Sequence, residues 1–202
     1  MNRTTQYAVD VVEGKIKTGE LVKLSCQRHL DDLKRQGTED FPYVFDENKA
    51  NRILNFCEKL KFTDGEAEIV GTFIKLMLFQ CFILGSLFGW VHKDTGYRRF
   101  RKSFAMLARK NSKSILNSCI GLYMTGFDNY RGAQTYMTAT KLKQARICWG
   151  EAVKFINMDR DLRAFFKIRD HSSEVISKHN EGIMMALGKD TGTIDGFNPH
   201  CG

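Results

Sequence analysis

The chain has 202 residues, 43% of them hydrophobic, and a formal net charge of +8. That length fits one domain with room for an appendage, and the apolar share is enough to build a core. Six cysteines at positions 26, 57, 81, 119, 148 and 201 form no CxxC pair, which argues against a zinc ribbon and reads as the reduced thiols of a cytosolic protein.

The N-terminus, Met-Asn-Arg-Thr-Thr-Gln, has no apolar signal-peptide core. From there to about residue 95 the pattern is mostly helical. Residues 23–35 read as a helix that carries Leu24, Leu30 and Leu33. Cys26 and His29 within them stand at CxxH spacing, but nothing nearby supplies the other ligands of a metal site. Asp46 can cap a helix whose apolar face is Ile53, Leu54, Cys57 and Leu60, and residues 41–43 and 63–65 are breaks. Residues 72–91 approach the length of a membrane span, with Lys93, Arg98, Arg99, Arg101 and Lys102 as a basic flank. Lys75 and Gln80 interrupt the apolar run, so the reading is a buried helix from near Leu78 to Gly89, with no membrane partner.

Residues 95–127 contain no acidic residue, and Arg98, Arg99, Arg101, Lys102, Arg109, Lys110 and Lys113 crowd the first half. Such a field attracts phosphates, of a nucleotide or of a nucleic-acid backbone, or else simply keeps a surface solvated. Within it, the apolar run 104–107 predicts a strand. A tight basic loop, Leu107-Ala108-Arg109-Lys110-Asn111-Ser112-Lys113-Ser114, follows it and opens an amphipathic helix.

Strand, loop and helix in that order are the layout of a phosphate-binding loop. Backbone N–H groups at the helix start would hold phosphate oxygens, Lys113 would reach the β- and γ-phosphates, and the Ser114 hydroxyl would hold magnesium. Both glycines of GxxxxGK[ST] are missing, with Leu107 and Ser112 in their places. A side chain at Ser112 costs about 1–2 kcal/mol if that residue must turn left-handed. The plainer reading is a basic turn ahead of a surface helix.

After the loop, Ile115, Leu116, Cys119, Ile120 and Tyr123 share a helical face that Gly126 ends. Residues 133–137 predict a strand. Thr138 or Thr140 can cap the next helix, with Leu142, Ala145, Trp149, Ala152, Val153 and Ile156 inward. Strand, loop, helix, strand and helix imply parallel strands joined by right-handed crossovers. Residues 165–168, 173–177 and 182–187 predict further short strands.

One ordered set of patterns carries a family resemblance. It comprises Leu78-Phe79-Gln80, Leu87-Phe88-Gly89-Trp90, Thr95-Gly96-Tyr97-Arg98-Arg99-Phe100, the loop from Ala108 to Ser114, Thr138-Ala139-Thr140 with Gln144-Ala145, and Asp195-Gly196 with Asn198-Pro199-His200. Together they resemble the N-terminal ATPase region of the large terminase subunit of tailed bacteriophages, over most of the chain.

The resemblance implies an α/β fold in which a mostly helical region, residues 1–95, precedes a partial P-loop ATPase core, residues 96–202. It implies ATP and Mg2+ as cofactors and the ATP-driven packaging of double-stranded DNA, held by its backbone, as the function. The implied partners are a portal protein, a small terminase subunit and further copies of the chain in a ring, in the cytoplasm of a bacterial host. Site roles follow in the same way: Gln80 reads adenine, Arg109 contacts the γ-phosphate, and Lys110, Asn111, Ser112, Lys113 and Ser114 complete the nucleotide site, with Ser114 on Mg2+. A Gln can donate to and accept from an adenine edge, though a buried amide satisfied by backbone is an equal reading of Gln80.

Arg160, Arg163 or Arg169 could serve as the finger such rings use in trans, and each also reads as a surface arginine. The family's apolar strand ending in Asp-Glu, the Walker B strand, normally follows a segment like residues 195–200, and none occurs in the second region before Gly202. The expectation is therefore weak nucleotide binding without turnover by this polypeptide alone, and an exposed sheet edge beside the loop. Two other readings are a non-catalytic DNA- or phosphate-binding module and a membrane-attached protein.

Overall fold

The computed structural model describes residues 2–189 and 198–202, so Asp195 and Gly196 of the expected motif lie outside the described residues. The chain divides into two compact units, residues 1–58 with 75–106 and residues 59–74 with 107–202.

The first unit contains α1 (Arg3–Val12), α2 (Glu20–Arg35), β1 (Tyr43–Phe45), α3 (Glu47–Lys59), α4 (Leu78–Gly89) and β2 (Trp90–His92). Its centre is α4, which carries apolar side chains on every face and is buried for that reason. The helix runs from Leu78 to Gly89 as the sequence predicts. Gly85 lets α1 lie directly on it: a Cβ there would stand 1.8 Å from Thr4 Oγ1, whose hydroxyl donates to the Cys81 carbonyl at 3.1 Å. Asp46 caps α3, its Oδ1 accepting from Lys49 N at 3.0 Å, and Ile53, Leu54, Cys57 and Leu60 are buried as expected. Strands β1 and β2 pair antiparallel, with Phe45 opposite Trp90.

The leucines of α2 are only partly buried, Leu30 and Leu33 being half-buried and Leu30 packed against the cluster that holds Cys26. Leu24 is exposed, while Cys26, His29 and Asp32 point inward. Polar groups can occupy that position because each finds a partner there. His29 Nδ1 accepts from Trp90 Nε1 at 2.9 Å, and its Nε2 lies 3.1 Å from Thr5 Oγ1, which fixes a neutral ring with the proton on Nε2. Burial holds the His29 pKa down at about 4. A base whose folded pKa lies below its unfolded value stabilises the fold above the unfolded pKa of about 6.5, and that stability is lost as pH falls toward 4. We expect the first unit to lose about 3 kcal/mol over that window. Urea midpoints at pH 7 and pH 4.5 measure it, and His29→Gln should remove most of the difference. A parallel acid loss in that variant would assign the effect to carboxylates.

The second unit holds α5 (Lys113–Gly126), β3 (Gln134–Ala139), α6 (Leu142–Met158), α7 (Arg160–Phe165), β4 (Phe166–Arg169), β5 (Glu174–Ser177) and β6 (Ile183–Gly188). The sheet order is β3-β6-β5-β4. Among the described strands β3 and β6 are the parallel pair, with Thr135 opposite Met184. The short connections from β4 through β5 to β6 force antiparallel pairing, because a parallel pair needs a crossover. The α/β class and the three short strands therefore stand, and the sheet is mixed, with one parallel pair. Helices α5 and α6 cover the sheet through Leu122, Trp149, Phe155 and Ile156. Gly121 brings α5 close to it, since a Cβ there would fall 2.2 Å from Met137 Cε.

Two local expectations fail. Residues 104–107 form no strand, and Phe104 and Met106 are 91% and 83% exposed. An extended run becomes a strand only where a neighbour takes its N–H and C=O groups, and among the described residues none pairs with it. Neither Thr138 nor Thr140 caps α6. The N-cap is Lys141 without a side-chain bond, and the Thr140 hydroxyl instead meets Gln144 Oε1 at 3.0 Å.

Candidate functional site

Helix α5 begins at Lys113, directly after Ser112, whose φ of 55° and ψ of 25° are left-handed; Lys110 also has a positive φ of 65°. The loop thus makes the turn for which glycine is the usual residue, and makes it with a serine. The helix start has no side-chain cap and no acidic residue in its first turn. Its first-turn N–H groups therefore have no side-chain cap, at the positive end of the helix dipole.

Lys113 Nζ reaches back across the loop, 2.6 Å from the Leu107 carbonyl and 2.7 Å from that of Ala108. Asn111 Nδ2 approaches the carbonyls of Ala108 and Arg109 at 3.4 and 3.3 Å. Arg109 and Lys110 are exposed, so the loop presents cations outward and folds its own carbonyls toward Lys113. Ser114 is half-buried in the first turn of α5. Its carbonyl accepts from Ser118 Oγ at 2.7 Å, and the same hydroxyl lies 2.7 Å from the Cys148 carbonyl on α6. Burial pushes the Cys148 thiol up, opposed by hydrogen bonding from the Ser114 and Asn117 side chains.

The structure brings residues 109–114 together in one turn of the second unit, while Gln80 belongs to the first unit. Gln80 is buried, and its Oε1 accepts from the Met77 backbone N–H at 2.9 Å, closing the start of α4. The amide oxygen therefore already has a backbone partner, as the plainer reading of this residue requires.

The basic run also divides. Arg101 and Lys102 are exposed, but Arg98 lies over the Phe88 ring at 5.4 Å, and Arg99 pairs with Asp32 at 2.5 Å. Arg99 is therefore structural, a role invisible to charge counting because its carboxylate lies 67 residues upstream. Arg169 pairs with Glu174, whereas Arg160 and Arg163 are exposed on α7.

Among the described residues the only strand that runs into Asp-Glu is β1, followed by Asp46 and Glu47, and Asp46 is the cap of α3. No group of three or more His, Cys, Asp or Glu among the described residues would hold a metal ion unaided. Cys26 is packed beside Tyr7, Val11 and Phe82, and both ring nitrogens of His29 are engaged, which disposes of the CxxH pair. No helix among the described residues is long and apolar enough to cross a membrane.

Residues 78–201 match the family model described as the terminase large subunit, ATPase domain. The chain belongs to that family. The matched segment starts at the first residue of α4 and takes in the loop of residues 107–114 and the four-stranded sheet. The fold agrees with the crystal structure of the HK97 bacteriophage large terminase at a TM-score of 0.62 and 22% identity, over 75% of this chain. This terminase chain spans 29% of the length of that protein. No curated protein matches the sequence.

Proposed function

We propose that this chain is part of an ATP-driven DNA-packaging motor and binds ATP–Mg2+ through its variant Walker A loop. The observation that carries the reading is Lys113 at the first residue of an uncapped helix behind a left-handed Ser112. The helix start supplies N–H groups to phosphate oxygens, and Lys113 exchanges its two carbonyl partners for a phosphate. Arg109 and Lys110 add positive charge at the mouth of the loop.

A magnesium ion arriving with the nucleotide neutralises the phosphates and takes most of its ligands from them and from water. One hard oxygen in the first turn is then a sufficient contribution from the protein, and Ser114 supplies it. Arg101, Lys102, Arg109 and Lys110 suit the backbone of double-stranded DNA, with the salt dependence such contacts bring. The portal protein, the small subunit and further copies of the chain complete the motor in this reading.

The test is titration of a fluorescent ATP analogue with and without Mg2+, in the wild type and in Lys113→Ala. Magnesium-dependent binding that the substitution abolishes is the expected result. Binding of equal strength in both proteins would remove the loop from the function.

A further inference from the structure

The two edges of the four-stranded sheet are protected differently. At one edge, β4 is four residues long and presents the exposed charges of Lys167 and Arg169. At the other, β3 is six residues long, Gln-Thr-Tyr-Met-Thr-Ala, with neither a charge nor a proline. Charged side chains and prolines keep an open edge from pairing with another chain, so β3 carries no such device of its own. Its outer side is instead occupied by His200 and Cys201. The Gln134 carbonyl accepts from His200 N at 2.8 Å and from Cys201 N at 3.2 Å, Tyr136 N donates to the Cys201 carbonyl at 2.8 Å, and Thr135 and Cys201 form a parallel bridge.

So short a piece of strand frays readily unless side chains fasten it. His200 does this twice. Its Nε2 faces Asp128 Oδ2 at 2.8 Å, and its ring stacks on Tyr130 with centroids 4.3 Å apart and planes 15° from parallel. The His200 and Asp128 side chains are 17% and 13% exposed, so this contact is largely screened from water. Asp128 and Tyr130 belong to the turn between α5 and β3, which Asn180 holds by donating from Nδ2 to the carbonyls of Thr125 and Tyr130, each at 3.0 Å. Asn198 N also donates to Gln134 Oε1 at 3.0 Å. All of this lies past the C-terminal end of α5, the opposite end from Lys113.

We propose that Asp128, Tyr130 and His200 form a clasp that fastens residues 198–202 over the outer edge of β3, and that the clasp closes this edge to the β3 strand of a second copy. The partner is a second copy because β3 is itself the uncharged, β-prone kind of segment that pairs with identical segments. This assignment is independent of nucleotide binding.

Amide exchange followed by NMR on the 202-residue chain reads the clasp. The Tyr136 N–H reports the outer edge, while alternate residues of the strand, Met137 among them, turn their N–H groups to β6. We expect His200→Ala and Asp128→Ala to speed Tyr136 exchange by about tenfold and Met137 exchange by less than about twofold, the loss of a hydrogen bond to a charged group being of that size. Sedimentation velocity over a concentration series should show association of His200→Ala beyond that of the wild type. Thr138 is exposed and lies further along the same side of β3. Adding Thr138→Lys to His200→Ala places a charge on the opened edge, and should remove the extra association while Tyr136 exchange stays fast.

Tyr136 exchange that neither alanine variant alters would overturn the clasp. Equal acceleration of Tyr136 and Met137 would overturn it as well, because the whole strand is then loosened. With Tyr136 exchange accelerated alone, the absence of extra association would overturn the closing of the edge. Extra association that Thr138→Lys leaves intact would do the same, by placing it on another surface.

Discussion

Replacing Arg99 with alanine is expected to destabilise the first unit by about 3 kcal/mol, at the lower end of the range for breaking a buried ion pair. The Asp32 side chain is 1% exposed and that of Arg99 17%. Asp32 Oδ2 meets Arg99 Nη1, while Oδ1 accepts from Arg35 Nε at 3.1 Å and Nη2 at 2.7 Å. Removing Arg99 strips one carboxylate oxygen of its partner inside the fold, and the mostly exposed Arg35 compensates only in part. The guanidinium also lies 4.6 Å from the centre of the Phe41 ring and 4.8 Å from that of Phe100, so its plane is packed as well as paired.

For that reason Arg99→Lys should recover less than half of the loss, since an ammonium can neither stack on those rings nor fork onto a carboxylate. The double variant Arg99→Met with Asp32→Asn should be more stable than Arg99→Ala, because neither partner is then a buried, unpaired charge. Urea unfolding followed by far-ultraviolet circular dichroism gives the free energies. A loss below about 1 kcal/mol for Arg99→Ala would place the pair among solvent-screened surface bridges instead.

Arg99 also marks where the sequence stops being legible. Helices bounded by local chemistry can be read directly: α4 from an apolar run closed by Gly89, α3 from Asp46 at its cap, α5 from its apolar spacing and Gly126. Strands β4 to β6 show as short apolar runs between turn residues. What cannot be read is anything decided by a distant partner. The inward face of α2 is chosen by Trp90, Thr5 and Arg99, so His29 and Asp32 are buried more deeply than Leu30 and Leu33. Residues 59–74 belong with the second unit, where Thr63 donates to Glu151 Oε1 at 2.5 Å and Lys154 pairs with Asp64. The run 104–107 has strand composition, but no strand among the described residues pairs with it. At the candidate site, the order of loop and helix and the left-handed demand on Ser112 were both legible. The tie from the Ser118 hydroxyl to the Cys148 carbonyl was not, because it joins two helices whose contact no local pattern announces.

Lys113→Ala is expected to weaken ATP–Mg2+ binding by about a hundredfold, since a hydrogen bond to a charged group contributes roughly 1.5–3 kcal/mol and each 1.4 kcal/mol is a factor of ten. Ser112→Gly should act on a different quantity. Ser112 already sits at a φ of 55° in the folded chain. The strain of about 1–2 kcal/mol is therefore present before any ligand arrives, and its relief raises folding stability rather than affinity. Part of that gain is offset by the greater freedom of glycine in the unfolded chain, which leaves a net of about 0.5–1 kcal/mol. Affinity should stay within about threefold of wild type, because strain common to the free and bound loops cancels. Thermal unfolding and titration of the same two variants separate these effects. An affinity gain above about tenfold in Ser112→Gly, without added stability, would show that the Ser112 Cβ obstructs the phosphate and that the loop changes shape on binding. Unchanged affinity in Lys113→Ala would show that its ammonium remains on the carbonyls of Leu107 and Ala108 and that the helix start alone holds the anion.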